Sequence, residues 1–173
     1  MSFLRTKWRG VLVFAVAATA LLADQLTKAA VMRHLTPLVP WNPVAALSPY
    51  FSLTYVTNTG AAFGLFPQLS GVYPFITLTI VVGLLVFCRR FGIDHWLLHV
   101  CLGLQLGGAL GNLVDRLTLG HVVDFLDFKF WPVFNVADSC IVVGVCILAF
   151  LLLRASPAEE AKPAEPDGAP GPA

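Results

Sequence analysis

The stretch W96-L-L-H-V-C-L-G-L-Q-L-G-G-A-L-G-N-L-V114 decides the fold, because it contains no Asp, Glu, Lys or Arg over its whole length. A helix needs about 20 predominantly apolar residues to cross the hydrocarbon core of a bilayer, and this stretch is long enough. It predicts a transmembrane helix over Trp96–Val114, and therefore an integral membrane protein.

Three other apolar stretches are also predicted to span the membrane: Val11–Ala23 with a possible extension to Ala30, Val72–Cys88, and Val136–Leu153. The first is short for a span unless Asp24, Gln25 and Lys28 form its outer end. Basic residues followed by a short apolar run also match a cleavable signal peptide. The presence of three further spans favours an uncleaved helix.

The composition agrees with a membrane protein, since 57% of the residues are hydrophobic, 12% are charged and the mean hydropathy is +0.78. Soluble domains carry charge on roughly a quarter of their residues. A net charge of +1 without a basic stripe argues against a nucleic-acid partner. Residues 155–173 are rich in Pro, Ala, Glu and Gly and cannot bury a core. We therefore predict one membrane domain over residues 1–154 and a disordered, dispensable cytoplasmic tail.

Lysine and arginine are distributed unequally between the two sides of the predicted bundle. Seven lie before the first span, between the second and third spans, or after the fourth, whereas four lie on the opposite side. The positive-inside rule then places both termini in the cytoplasm. The predicted fold class is an all-α integral membrane protein of four transmembrane helices, with a small β element outside the cytoplasm.

The β element is predicted from two segments outside the spans. In the first, Phe51, Leu53 and Tyr55 alternate with Ser52, Thr54 and Val56, a period-2 strand pattern. The second is Val123–Trp131, which if extended has these residues on one face: Asp124, Leu126, Phe128 and Phe130. We expect these segments to rest on the membrane surface. Aromatic residues suited to the interface belt lie in or near them: Trp41, Tyr50, Phe51, Phe130 and Trp131.

Glycines recur at every fourth position in the third span, at Gly103, Gly107 and Gly111. Such a stripe lets another helix approach closely, and packing alone is sufficient reason for it. Asn112 and Asp115 continue the same side of the helix. We therefore expect these polar side chains to face the interior of the bundle.

Every acidic residue before the tail is an aspartate, and in so apolar a chain each one requires an explanation. Asp24 and Lys28 are four apart and can form an ion pair that closes the first span or supports a site. Asp115 and Arg116 suit a polar network at a helix end; in the alternative, Arg116 and Asn112 grip the substrate backbone or carbonyls. Asp127 is expected to be solvated.

Asp124 and Asp138 have contrasting surroundings. Asp124 lies among apolar residues, where desolvation raises the pKa of a carboxyl group. Asp138 lies at the start of the fourth span, where a helix amino terminus stabilises a carboxylate and Asn135 can act as the cap. Two carboxyl groups brought close together share one proton and can then activate a water. We interpret the two as a candidate catalytic dyad, although a first-turn helix acid is an alternative for Asp138.

The cysteines and histidines do not match a metal site. All four cysteines lie within apolar spans and are interpreted as packing residues. His95 and His99 are four apart, but H95-W-L-L-H99 lacks the Glu of a metalloprotease helix. We expect no metal and no cofactor.

Five motifs occur together and in order: D24-Q-L-T-K28, N58-T-G-A-A-F63, G111-N-L-V-D-R116, V122-V-D-F125 and F134-N-V-A-D138. This pattern resembles lipoprotein signal peptidase, also called signal peptidase II, over roughly residues 10–154. The resemblance implies an aspartic endopeptidase of the bacterial inner membrane with its active site near the outer face. It also implies cleavage of diacylglyceryl-modified prolipoproteins just before the lipidated cysteine, and inhibition by globomycin.

The resemblance also implies roles for individual residues. Asp124 and Asp138 would be the catalytic pair, and Asn112 and Arg116 would contact substrate. The remaining candidates would support or line the site: Asp24, Lys28, Asn58, Asp115 and Asn135. A monomer in contact with membrane lipids is sufficient for this chemistry.

Three other classes of protein remain open on the residues alone. Intramembrane carboxylates also mark proton or cation pathways in transporters. The glycine stripe would serve a non-enzymatic scaffold equally well. A metalloprotease built on His95 and His99 is a weaker third alternative.

Overall fold

A computed structural model of the chain describes residues 2–60 and 95–154, together with isolated positions between 72 and 86. About half of the second predicted span, Val72–Cys88, lies outside the described residues. The tail, Asp94 and the end of the N58-T-G-A-A-F63 motif lie outside them entirely.

Three helices are long and apolar enough to cross a membrane in the part of the chain that is described. They are α1 (Ser2–His34), α2 (Trp96–Leu119) and α3 (Val136–Arg154). The apolar portion of α1 is Gly10–His34, so the first span does continue through Asp24, Gln25 and Lys28. The third and fourth predicted spans are confirmed, and α2 extends five residues past Val114 to Leu119.

Local capping explains the ends of α2. The His95 side chain accepts a hydrogen bond from the Leu97 N–H at the amino end, so His95 acts as the helix cap. At the other end Gly120 has φ 78 and its N–H donates to the Arg116 carbonyl. Glycine tolerates this left-handed conformation, so the chain turns here towards the next strand.

Small residues let the helices pack closely, as the glycine stripe predicts. A Cβ at Gly103 would lie 2.7 Å from Val16 Cβ, and one at Gly107 would lie 2.5 Å from the Ala17 carbonyl oxygen, so both glycines face α1. On α3, a Cβ at Gly144 would lie 2.8 Å from the Cys101 carbonyl oxygen. Helix α2 is therefore held between α1 and α3.

The β element is a two-stranded antiparallel sheet of β1 (Phe51–Asn58) and β2 (Val122–Phe128). Leu53 pairs with Leu126 and Val56 with Asp124, so two residues of β1 lie opposite the single Phe125. This bulge shifts the alternation of β1 by one residue and brings Asn58 to the face of Asp124. The predicted second strand ends three residues early, because Phe130 lies in the turn that follows β2.

The sheet is fixed to the helices and to the segment after α1. Val123 and Phe125 form a buried cluster with Val31 at the end of α1. Trp41 and Leu53 exchange two backbone hydrogen bonds of 2.8 and 2.9 Å, and a single 3-10 turn, Ala45–Leu47, precedes β1. Asp124 on β2 and Asp138 on α3 therefore both belong to a packed framework.

Candidate active site

The Asp124 carboxyl group is almost fully buried, with 2% of the residue exposed, and it receives two amide hydrogen bonds. Asn58 Nδ2 donates to Oδ2 at 2.9 Å and Asn135 Nδ2 donates to Oδ1 at 2.7 Å. Neither side-chain amide can be rotated by 180° without losing hydrogen bonds, because each amide oxygen is also an acceptor. Asn58 Oδ1 accepts from the Gly60 N–H, and Asn135 Oδ1 accepts from the Asp138 N–H. Both N–H donors are thus held pointing at the carboxyl group.

The surroundings of Asp124 favour its protonated form near neutral pH. Burial is the largest cause and the nearby Asp138 charge adds to it, and together they raise the pKa of Asp124 to about 7. The hydrogen bonds from Asn58 and Asn135 act in the opposite direction, because they stabilise the ionised form. Asp124 can therefore give or accept a proton at physiological pH.

Asp138 lies in the first turn of α3, and Asn135 caps that turn. The Asn135 side chain accepts from the Asp138 N–H at 2.9 Å, as predicted for a helix cap. Since the same side chain donates to Asp124, one amide joins the two carboxyl-bearing residues. Asn112 Nδ2 donates to Asp138 Oδ1 at 2.7 Å from the α2 side.

A buried network behind the two aspartates fixes the orientation of Asn112. Lys28 Nζ, in a residue only 1% exposed, donates to Asn112 Oδ1 at 3.0 Å. It also forms ion pairs with Asp24 at 2.8 Å and Asp115 at 2.9 Å. Because the Lys28 ammonium faces the amide oxygen, the NH2 group of Asn112 is directed to Asp138.

Asp24 and Asp115 each connect this network to a backbone that carries a candidate catalytic residue. Asp24 Oδ1 accepts from the Ala137 N–H at 2.9 Å, next to Asp138. Asp115 Oδ2 accepts from the Val123 N–H at 3.0 Å, next to Asp124. Asp24 is fully buried, so its contacts support the site rather than line it.

Gln25 is a member of this network that we did not predict. Its Nε2 donates to Asp115 Oδ1 at 2.9 Å, to Asp24 Oδ2 at 3.2 Å and to the Gly111 carbonyl at 3.2 Å. One amide therefore separates two like-charged carboxylates. Its place three residues before Lys28 is the available sequence signal, since positions i and i+3 share a helix face.

Arg116 extends the site towards the end of β1. Its Nη2 donates to the Gly60 carbonyl at 3.0 Å and its Nη1 to the Asn112 carbonyl at 3.3 Å. Asp115 is therefore paired with Lys28 rather than with its neighbour Arg116.

The two aspartates open onto a cavity of about 740 Å³ whose wall is mostly apolar. The described residues that line it come from both strands, α2, α3 and the connection before α3: Asn58, Asn112, Arg116, Val122, Asp124, Phe128, Phe130, Trp131, Pro132, Val133, Phe134, Asp138, Ser139, Ile141, Val142 and Val143. The cavity can accommodate an extended apolar chain beside two carboxyl groups, and pockets of this size bind ligands of moderate size.

Asp127 differs from the prediction, because it is held by the protein rather than by solvent. Its side chain is 14% exposed and accepts from Ser52, Thr54 and Lys129. Partial burial alone would raise the pKa of Asp127, but these hydrogen bonds outweigh it and hold the pKa below its usual range. It lies on the sheet face opposite Asp124, away from the cavity.

Comparison with known proteins identifies the family. A family model described as signal peptidase (SPase) II matches residues 16–154. The chain belongs to the signal peptidase II family. The lipoprotein signal peptidase of Pelotomaculum thermopropionicum is 46% identical over 149 residues, covering 83% of this chain and 93% of that protein. The lipoprotein signal peptidase of Moorella thermoacetica is 44% identical over 138 residues, covering 80% and 90%.

A solved structure supports the fold of this family member. It is a bacterial membrane enzyme determined by the in meso method at 2.3 Å resolution, with a TM-score of 0.75 and 26% identity. The match covers 88% of this chain and 94% of the other. The resemblance read from the five motifs is confirmed, and this signal peptidase II family member is a peptidase.

Proposed function

We propose that the chain is an aspartic endopeptidase that removes the signal peptide from diacylglyceryl-modified prolipoproteins by cleaving just before the lipidated cysteine. The observation that carries this proposal is the joining of Asp124 and Asp138 through one buried amide, Asn135, at the wall of an apolar cavity. The lipoprotein signal peptidases that the chain resembles supply the substrate class.

In the proposed reaction the dyad holds one proton, because two adjacent carboxylates do not both ionise easily. The ionised carboxylate takes a proton from a water, whose oxygen adds to the carbonyl carbon of the scissile bond. The protonated carboxyl group gives its proton to the carbonyl oxygen. The tetrahedral intermediate then breaks its C–N bond as one carboxyl group protonates the leaving cysteine amine. The other recovers a proton from the intermediate.

The remaining polar residues position this chemistry. Asn112 and Arg116 line the cavity and would contact the substrate backbone, while Asn58 and Asn135 orient Asp124. Asp24, Lys28 and Asp115 would support the site from behind. Confining the precursor and the dyad to one plane of the membrane removes much of the entropic cost of their encounter.

The arrangement in the membrane is part of the proposal. We infer four transmembrane helices, counting Val72–Cys88, with both termini in the cytoplasm and the dyad near the outer face of the bacterial inner membrane. The enzyme would act as a monomer and be inhibited by globomycin. The domain would comprise residues 1–154, and no metal or cofactor would take part.

The test is cleavage of a purified diacylglyceryl-modified prolipoprotein by the purified enzyme, followed by mass spectrometry of both products. Asp124→Asn and Asp138→Asn should each lower turnover by roughly 1000-fold, since general acid–base catalysis supplies effects of this size. Asp127→Asn is the matched control, because it removes the same charge from the same strand on the other face of the sheet.

Near-normal turnover by either dyad variant would refute the proposal. Equal loss in Asp127→Asn would show that removal of charge from β2, rather than loss of the dyad, stops the reaction. Inhibition by EDTA would favour a metalloprotease, and insensitivity to globomycin would contradict the assigned substrate site.

A further inference from the structure

Leu38 has a backbone conformation that leucine rarely adopts. Its φ is 64, and it is the one non-glycine residue with positive φ in the part of the chain that is described. The Val39 N–H donates to the Thr36 carbonyl at 3.2 Å, so Pro37 and Leu38 form the centre of a turn. Glycine or asparagine is preferred where Leu38 stands, because a Cβ is strained there.

The strained side chain is not used to fill a protein core. Leu38 is 73% exposed, although a polar or small residue would suit an exposed turn better. The segment 36–50 presents further large apolar side chains at its surface: Val39, Trp41, Val44, Leu47 and Tyr50. An exposed apolar patch of this kind marks an interaction surface.

The position and charge of the segment indicate which surface it meets. It follows directly on α1, whose membrane-spanning portion ends at His34. Arg33 and His34 are exposed at that end, and no acidic residue occurs between Asp24 and Asp94. Basic residues beside exposed apolar and aromatic side chains suit the phosphate and acyl layers of a bilayer interface.

The same segment is rigidly connected to Asp124. The Leu38 N–H donates to the Tyr55 carbonyl at 2.9 Å, and Trp41 pairs with Leu53. Both partners belong to β1, which pairs with β2 at Val56 and Asp124. Backbone hydrogen bonds therefore join segment 36–50 to β1, and β1 to the strand that carries Asp124.

We propose that segment 36–50 is a lipid-inserting anchor, with Leu38 as its tip, that sets the height of Asp124 relative to the surrounding leaflet. Its ligand is the phospholipid surface itself. This deepens the proposed function, since a substrate fixed to the bilayer by its acyl chains must meet a carboxyl group held at a matching height.

The direct test is photo-crosslinking of the full chain in nanodiscs of phosphatidylethanolamine and phosphatidylglycerol. A benzophenone amino acid replaces Leu38 or Val44, and crosslinked products are identified by mass spectrometry. Replacement of Phe14, which is 69% exposed within the α1 span, is the positive control, and replacement of Lys129 in the turn after β2 is the comparison outside the segment. We expect lipid adducts at positions 38 and 44 as at position 14. Adducts only with protein, or only with water at both positions, would overturn the anchor, whatever the fate of the Asp dyad.

A second test uses Leu38→Gly and Leu38→Asn, which both fit the turn. In detergent we expect an unchanged or higher Tm, because the backbone strain is relieved. For a precursor embedded in nanodiscs we expect turnover to fall by roughly tenfold, since a displacement of about 1 Å at a reacting centre can cost about 100-fold. A short lipopeptide in detergent should be cleaved at the original rate. A fall in Tm, or equal loss on both substrates, would contradict the role of Leu38 as a lipid contact.

Discussion

Asn135 is fully buried and uses both ends of its amide, one on Asp124 and the other on the backbone of Asp138. Replacing it by Ser keeps an oxygen that can cap α3 but removes the donor to Asp124, whereas Ala removes both. We expect Asn135→Ala to lower the free energy of unfolding by about 1 kcal/mol and Asn135→Ser to change it little. Both should lower turnover by about tenfold or more, because a hydrogen bond to a charged group is lost.

Thermal unfolding and single-turnover cleavage, measured on the same samples, separate the two functions of this amide. If Asn135→Ser keeps both its stability and its rate, the side chain acts only as a helix cap, and the proposed orientation of Asp124 is wrong.

The raised pKa of Asp124 predicts a pH dependence. An ordinary aspartate ionises near 3.8, whereas burial and the neighbouring Asp138 raise the pKa of Asp124 to about 7. The dyad therefore retains its catalytic proton below about pH 7 and loses it as the pH rises through that value. We expect the cleavage rate to fall about tenfold for each pH unit above about pH 7.

The stability of the fold should change in the same direction. The contribution of Asp124 is fully present below the unfolded pKa and is lost as the pH rises through about 7. Asp127→Asn provides the control, since the pKa of Asp127 is lowered and the residue does not titrate in this range. A rate that stays flat from pH 6 to pH 9 would contradict the shared proton.

At the level of the elements, the close contact of α2 with α3 positions Asp138. A Cβ added at Gly108 would collide with the Ala137 carbonyl oxygen, one residue before Asp138. Gly108→Ala should therefore lower the free energy of unfolding by about 1–3 kcal/mol and also reduce turnover. In Gly103→Ala the added Cβ meets Val16 on α1 instead, so this variant should be less stable while its folded fraction keeps its activity.

Gly10→Ala is the neutral control, because nothing lies within 4 Å of the added Cβ in this membrane helix. The measurement is denaturation in detergent together with turnover per folded molecule. Equal loss of turnover per folded molecule in Gly103→Ala and Gly108→Ala would show that general loosening, and not displacement of Asp138, is responsible.

The elements were predictable from the sequence to different degrees. Hydropathy located α2 and α3 to within a few residues, because burial in lipid requires an uninterrupted apolar run. The short apolar run of α1 predicted that the helix exists but not how long it is. Asp24 and Lys28 pair with each other, and Lys28 also pairs with Asp115 on α2, and hydropathy does not register these ion pairs. The bulge in β1 was missed, because strand alternation alone does not reveal where the partner strand lacks a residue.

The site was predictable where residue types carry the chemistry, as for Asp124, Asp138 and Asn135. The contribution of Gln25 was not, because it depends on which side chains from α2 come within reach. The pairing of Asp115 with Lys28, rather than with the adjacent Arg116, likewise follows from packing between helices.

On the scale of the whole molecule, the polar side chains of the site gather at one end of the three described helices, where α1, α2 and α3 meet the sheet. The tail beyond residue 154 is rich in Pro, Ala, Glu and Gly, a composition that cannot bury a core. We therefore expect deletion of residues 157–173 to leave turnover and Tm unchanged. Complementation in cells and cleavage by the truncated enzyme would measure this. Loss of either would show that the tail is needed, and would contradict the proposed domain of residues 1–154.

The bulge between Leu53 and Val56 determines which face of the sheet the later side chains of β1 occupy, because side chains otherwise alternate strictly along a strand. If the eight residues of β1 paired one to one with β2 from Leu53 onward, Tyr55 instead of Val56 would lie opposite Asp124, and the Asn58 amide would turn to the other face of the sheet. A single-codon insertion between Val56 and Asn58 would therefore turn the Asn58 amide away from Asp124 and silence the enzyme, while leaving its charge and both aspartates of the dyad in place.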